Sequence, residues 1–158
     1  MIESDPGNDD SHGLIIGDLD DQIGFRLRFA LAAVWNDLNA AFKPYDLRPQ
    51  HFAALRLIAT NPGCKQQDIG DALAISKSNI VAFLDGLIRK NLLVRYPNPD
   101  DRRSYALHLT QKGNFLLASL DDAQKEHEQR LNQIISDEEA QYLNTILRKL
   151  ANLGSVGK

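Results

Sequence analysis

Two short runs carry side chains suited to recognising a polyanion and the bases strung along it. In Ser76-Lys77-Ser78-Asn79, Lys77 has the reach to donate to guanine O6 or N7, Asn79 the two-sided amide to pair with adenine, and Ser78 a hydroxyl for either a base or a phosphate. Val81 and Ala82 follow, small apolar residues of the kind that pack against thymine methyls. The second run is a charged tip, Asn98-Pro99-Asp100-Asp101-Arg102-Arg103, leading into Ser104-Tyr105-Ala106-Leu107-His108-Leu109-Thr110. The alternation after the tip predicts a strand with one buried face, so the tip stands out from the domain. An Arg there suits the negative potential of a narrow A/T-rich minor groove. With Arg95 just before the tip, the candidate DNA-contacting set is Ser76, Lys77, Ser78, Asn79, Ala82, Arg95, Asp101, Arg102 and Arg103. The plainer alternative is that Ser76 and Ser78 only cap a helix, Val81 is core and the Arg-rich tip is a solvated turn.

Helices must hold these residues in place. Leu19, Ile23, Leu27, Leu31, Val34 and Leu38 recur at helical spacing from Asp18 on, while Phe25, Phe29, Ala33 and Phe42 widen the apolar surface; Pro44 ends this first helix. Arg48-Pro49 opens a second helix with buried Phe52, Leu55, Leu57 and Ile58, stopped by Asn61-Pro62-Gly63. A short third helix spans Gln66 to Leu73, with Ile69, Ala72 and Leu73 facing inward. Ser76 is placed to cap a fourth, accepting from a free backbone N–H, and Asn91 to end it in a left-handed conformation. Beyond the hairpin, Thr110 caps a long helix through Phe115, Leu116, Leu120, Ala123, His127, Leu131 and Ile134. Ser136-Asp137-Glu138-Glu139 has the form of a capping box before a last helix bearing Leu143, Ile146, Leu147, Leu150 and Leu153. The order predicts a mainly α fold with a small β-hairpin wing: a winged helix-turn-helix over residues 47–110 within terminal helical segments 18–46 and 111–153. The apolar faces of those terminal helices exceed what three small helices cover, which predicts pairing with a second copy.

Charge distribution decides between partners. The net charge is −3 over 158 residues, which by itself disfavours nucleic acid. Between Lys65 and Lys112, however, eight basic residues face five acidic ones, a local +3 that leaves −6 for the remainder. Residues 1–17 read as a disordered acidic tail with no positive region of the kind that opens a signal peptide, and no apolar run reaches the roughly 20 residues of a membrane helix. A cytoplasmic protein without membrane partners is expected. A single cysteine, Cys64, rules out an internal disulfide.

The sequence resembles the MarR family (multiple antibiotic resistance regulators) over about residues 18–153. The resemblance is carried by Leu47-Arg48-Pro49-Gln50-His51-Phe52, Gln67-Asp68-Ile69-Gly70, Ser76-Lys77-Ser78-Asn79-Ile80, and Asp101-Arg102-Arg103 with Leu109-Thr110. It implies a homodimer on a pseudo-palindromic operator, most often a repressor, that lets go when a small molecule binds. It favours Arg103 as the inserted wing residue, positioned by Asp101. The chain departs from the usual pattern at Val81 and Ala82, where relatives often carry polar or basic residues, at Asn91, where Gly is usual, and at Gly86 inside a helix.

The resemblance also implies an effector site between the first helix, the second and the start of the fifth. Arg26 and Arg28 are candidates there to pair a carboxylate or phosphate, Phe29 to line the site and His51 to donate to a phenol or acid; an aromatic acid or its coenzyme A thioester is the expected effector. The competing reading makes these Arg residues interface salt bridges. Two further alternatives are a winged-helix module that binds protein without DNA and a redox-responsive regulator acting through Cys64, near Lys65. His12, His51, His108 and His127 are too scattered for a zinc site, and no phosphate-cradling Gly loop, nucleophile elbow or clustered nucleophile and base suggests an enzyme; no cofactor or metal is expected.

Overall fold

The computed structural model describes residues 16–97 and 105–153. The elements run α1 (Ile23–Phe42), α2 (Pro49–Thr60), α3 (Gln66–Ala72), α4 (Lys77–Arg89), β1 (Leu93–Pro97), β2 (Tyr105–Leu109), α5 (Gln111–Asn132) and α6 (Asp137–Ala151), with 3-10 turns at Gly17–Asp21 and Lys43–Tyr45. This is the mainly helical chain with one antiparallel hairpin that the sequence predicts. Contacts divide it within α1 into two units, Met1–Asn36 and Asp37–Lys158. The acidic tail over residues 1–15 and the hairpin tip, Asp101, Arg102 and Arg103 included, lie outside the described residues.

In the first unit, Asp18 to Asp21 form the 3-10 turn rather than the start of the helix, which begins at Ile23. Its large apolar residues are open: Ile23 is 73% exposed, Phe29 52% and Leu31 60%. Phe25 and Phe29 meet ring to ring at 4.8 Å.

The second unit holds the core. Leu55 and Ile58 of α2, Ile69 of α3, Ile80, Leu84 and Leu87 of α4, Leu93 and Leu107 of the hairpin, and Leu117 and Leu120 of α5 are all buried in one cluster with Phe42 and Leu47. Burial follows helical period three to four on α4, at Ile80, Leu84 and Leu87, so that helix presents one apolar face, while β2 buries Leu107 at its centre. Ala72, expected inside, is exposed; Ile69 and Gly70 take the buried positions of α3. Gly70 is there because a Cβ would stand 3.2 Å from the Ile75 carbonyl and 3.4 Å from Ile80, so the third and fourth helices cross at a distance a side chain would enlarge. Asp68 caps its own helix by accepting from the Lys65 N–H at 2.9 Å, and Ala74, with φ of 53°, turns the chain between α3 and α4.

The hairpin pairs Leu93 with Leu109 through Pro97 with Tyr105. The loop before α3 adds to it: Gly63 N–H donates to the Leu107 carbonyl at 2.9 Å and Leu107 N–H to the Cys64 carbonyl at 3.0 Å. Both later caps form as predicted, Thr110 Oγ1 accepting from Gly113 N–H at 2.9 Å and Ser136 in a full capping box with Glu139. Phe115 (70% exposed) on α5, Ile134 (80%) just beyond it, and Tyr142, Leu143, Ile146 and Leu147 along α6 are open in the single chain, as expected of apolar faces that three small helices cannot cover.

Candidate nucleic-acid interface

Helix α4 starts with an exposed run. Ser76, Lys77, Ser78, Asn79, Val81 and Ala82 are all open to solvent while Ile80 between them is 2% exposed. Ile80 fixes the helix to the core and turns its flanking residues outward. This settles Val81 as a surface residue, 40% exposed, rather than core. Ser76 occupies the N-cap position in extended conformation, but its side chain makes no cap hydrogen bond; its Oγ pairs instead with Ser78 Oγ at 3.0 Å. The expected cap role of Ser76 is therefore corrected. The two hydroxyls hold each other at the helix start, leaving N-terminal N–H groups of α4 directed to whatever approaches. No acidic side chain pairs with Lys77 among the described residues.

Arg95 is placed differently. Its side chain is only 22% exposed and its Nη1 meets Asp85 Oδ1 of α4 at 2.7 Å. Nε and Nη2 are buried without a hydrogen-bond partner among the described residues, where the Asp85 carboxylate is what holds the guanidinium. Arg95 thus ties β1 to α4, setting hairpin against helix, whereas the sequence places it among the DNA contacts. Tyr96, the next residue, is 55% exposed and lies edge-on to His108 at 5.6 Å.

The far end of α4 is clamped. Asn91 takes φ of 56° as predicted, and the N–H groups of Asn91 and Leu92 return to the Ile88 and Leu87 carbonyls at 2.8 and 3.0 Å, closing a Schellman motif. Thr110 Oγ1 donates to the Asn91 carbonyl at 2.7 Å and Lys112 Nζ to the Lys90 carbonyl at 3.0 Å. A Cβ at Gly113 would stand 2.1 Å from the Leu92 carbonyl oxygen, so only glycine permits this junction. Gly86, by contrast, has room: a Cβ would meet nothing nearer than Arg89 at 3.9 Å.

The candidate effector residues lie as follows. Arg26 is engaged by Asp20, through its carboxylate and through its backbone carbonyl at 2.9 Å, and Arg28 lies 5.3 Å over the Phe29 ring. His51 lines a cleft of about 590 Å³ in the second unit. Its Nδ1 accepts from the Arg48 N–H at 3.0 Å, which puts the proton of the neutral ring on Nε2, and its ring stacks on Phe83 at 5.1 Å. Burial, then the charges of Arg48 and Lys90, push its pKa down, so it stands as a neutral donor. Cys64 is half-buried, and burial together with Asp68 raises its thiol pKa, opposite to what a redox-sensing thiolate needs.

A third group escapes sequence reasoning. Asp37 accepts from Arg130 at 2.8 to 3.2 Å and contacts His127 Nδ1 at 2.6 Å. Hydrogen bonds from Arg130 and then His127 lower the Asp37 pKa to about 2. His127, 2% exposed, reads in the sequence as one more residue on the apolar face of α5; its partner lies 90 residues away. No described helix is long and apolar enough to cross a membrane, and no group of metal-ligating side chains occurs among the described residues.

Comparison with known proteins agrees with this geometry. A family model described as MarR family matches residues 47–105. A Thauera aromatica protein, described as a regulatory protein for the hcr operon, is 32% identical over 146 residues, 92% of this chain and 88% of that one. Two solved structures of the transcriptional repressor CouR superpose closely: one bound to a 23-mer DNA duplex (TM-score 0.81, 35% identity, covering 89% of this chain and 99% of that one) and one bound to p-coumaroyl-CoA (TM-score 0.77, 33% identity, the same coverage).

Proposed function

Because this chain belongs to the MarR family of transcriptional regulators, we propose that it is a ligand-responsive repressor whose operator contacts are made by the start of α4 and by the hairpin tip. The observation that carries the reading is the exposed run Ser76 to Asn79 with Val81 and Ala82, set around a buried Ile80 on a helix whose base is clamped. In a helix-turn-helix the second helix offers its N-terminal side chains to base edges. Lys77 and Asn79 then read bases, Ser78 a base or phosphate, Ala82 a thymine methyl, and Arg102 and Arg103 the minor groove, with Asp101 positioning them.

The exposed apolar faces of α1 and α6 support a homodimer, with residues 18–46 and 111–153 supplying its contacts. Two copies present two recognition helices to half-sites roughly 34 Å apart, one helical turn of DNA. An effector releases the operator by favouring a spacing that does not fit, and only by the difference in its affinity for the two states. The 33% identity to a repressor bound to p-coumaroyl-CoA supports an aromatic acyl-coenzyme A effector. Such a regulator works where the chromosome is, in the cytoplasm.

Fluorescence anisotropy against DNA flanking the protein's own gene, at two salt concentrations and with a panel of aromatic acids and their coenzyme A thioesters, tests the reading. Salt-sensitive binding relieved by one compound is expected. Absence of DNA binding would overturn it in favour of a protein-interaction module.

A further inference from the structure

The cleft beside His51 is more basic than an aromatic acid requires. Lys43, Arg48 and Lys90 converge on it with one carboxylate, Asp46, and the polar Asn39. No carboxylate among the described residues pairs with Lys43 or Arg48, whereas Lys90 donates to both the side chain and, at 3.0 Å, the backbone carbonyl of Asp46. Asp46 itself is 93% exposed and projects from a left-handed residue with φ of 52°. The hydrogen bond and charge of Lys90 hold its carboxyl below the usual range. The first turn of α2, with the positive end of its dipole, opens onto the same cleft. The Lys90 carbonyl, which would repel an anion, is already covered by Lys112.

We propose that this cleft binds the phosphate groups of the effector, so that the acyl-coenzyme A thioester is held by Lys43, Arg48 and Lys90 at its phosphorylated end and by the Nε2–H of His51 nearer its acyl end. The inference rests on the reading of the chain as an effector-responsive repressor and adds the chemistry that selects the effector class. A DNA phosphate is the other anion such residues could meet. The cleft is concave, and it sits at the end of α4 remote from Ser76, roughly 20 Å away along 13 helical residues at 1.5 Å each. A small phosphorylated ligand fits that position better than a duplex lying across the start of the helix. A bound phosphate competes with the Asp46 carboxylate for Lys90, and so couples ligand entry to the end of the recognition helix.

Calorimetric titration of the full chain with p-coumaroyl-CoA, with the phosphate-free N-acetylcysteamine thioester of the same acid, and with 3′,5′-ADP tests the proposal. Lys43→Gln and Lys90→Gln are each expected to weaken p-coumaroyl-CoA about tenfold, as loss of a charge-assisted contact does, with the phosphate-free thioester far less affected. Asp46→Asn, which keeps a residue tolerant of the left-handed conformation, is expected to tighten p-coumaroyl-CoA by about threefold by removing the competing carboxylate. A merely structural role for the Asp46 pair would not produce that gain. Equal effects on both thioesters, or none, would overturn the cleft while leaving the repressor reading intact. Binding of 3′,5′-ADP and of every acyl-coenzyme A alike, sensitive to the same variants, would keep the cleft and sink the aromatic effector. Variants that lose operator affinity but not coenzyme A affinity would assign the lysines to the DNA backbone, and failure of all three probes to bind would overturn the proposal.

Discussion

The two ends of α4 are built on opposite plans. At its start, Ser76 to Asn79 are exposed, and among the described residues the only side-chain hydrogen bond there joins the Ser76 and Ser78 hydroxyls. At its finish, Asn91, Leu92, Thr110, Lys112 and Gly113 lock the backbone through at least four hydrogen bonds across three elements. A helix that reads a partner needs both: side chains left free to exchange water for base edges, and a base that does not shift while they do so.

Breaking the clamped end has the largest expected effect. Gly113→Ala would drive a Cβ into the Leu92 carbonyl, and a loss of about 3 kcal/mol is expected, enough to lower Tm by roughly 6 to 12 °C in a chain of this size. Thermal denaturation checks it; an unchanged Tm would mean the junction is pliable. Stripping the open end affects binding instead. Lys77→Ala and Asn79→Ala should each cost about tenfold in operator affinity, within the 1–3 kcal/mol typical of a base-reading pair, with Tm unmoved. Arg103→Ala is expected to cost at least about tenfold too; anisotropy curves that overlay the wild type would remove the residue concerned from the interface.

A smaller effect separates scaffold from interface by pH. Because the Asp37 pKa is lowered to about 2 from an ordinary value of 3.8, its ionised form stabilises the fold above pH 4, and that contribution is lost as the pH falls from about 4 through 2. Asp37→Ala should therefore lower stability at neutral pH and flatten its fall between pH 4 and 2. Parallel pH curves for wild type and variant would show that Arg130 and His127 do not depend on it. The smallest change is a gain. Gly86→Ala has space for its methyl and should add up to about 1 kcal/mol from helix propensity, a rise in Tm with operator affinity retained if Gly86 is no joint.

Local chemistry explains why much of this was legible. Asn91 as the left-handed terminus, the Thr110 cap and the Ser136 to Glu139 box involve residues a few positions apart, and residue type largely dictates such geometry. The same holds for the exposed start of α4, where one buried Ile80 orients its neighbours by helical period. Ser76 was legible in position but not in partner, because two hydroxyls two residues apart can satisfy each other instead of the backbone. Ala72 misled because apolar character at helical spacing marks a face without saying whether anything lies against it.

The sequence by itself determined the order of elements, the helix-turn-helix with its wing, the local positive charge and the side chains able to read DNA, since these follow from period, caps and turn residues within short stretches. Only the tertiary structure decided that Arg95 is held inward by Asp85, that Asp37 meets His127 and Arg130, and that Lys43, Arg48 and Lys90 share one cleft around Asp46. Arg95 and Asp85 stand 10 residues apart, Lys90 and Asp46 44, and Arg130 and Asp37 93, and a charge pair at such separations leaves no periodic trace; it exists only once a packed core has fixed where each backbone lies.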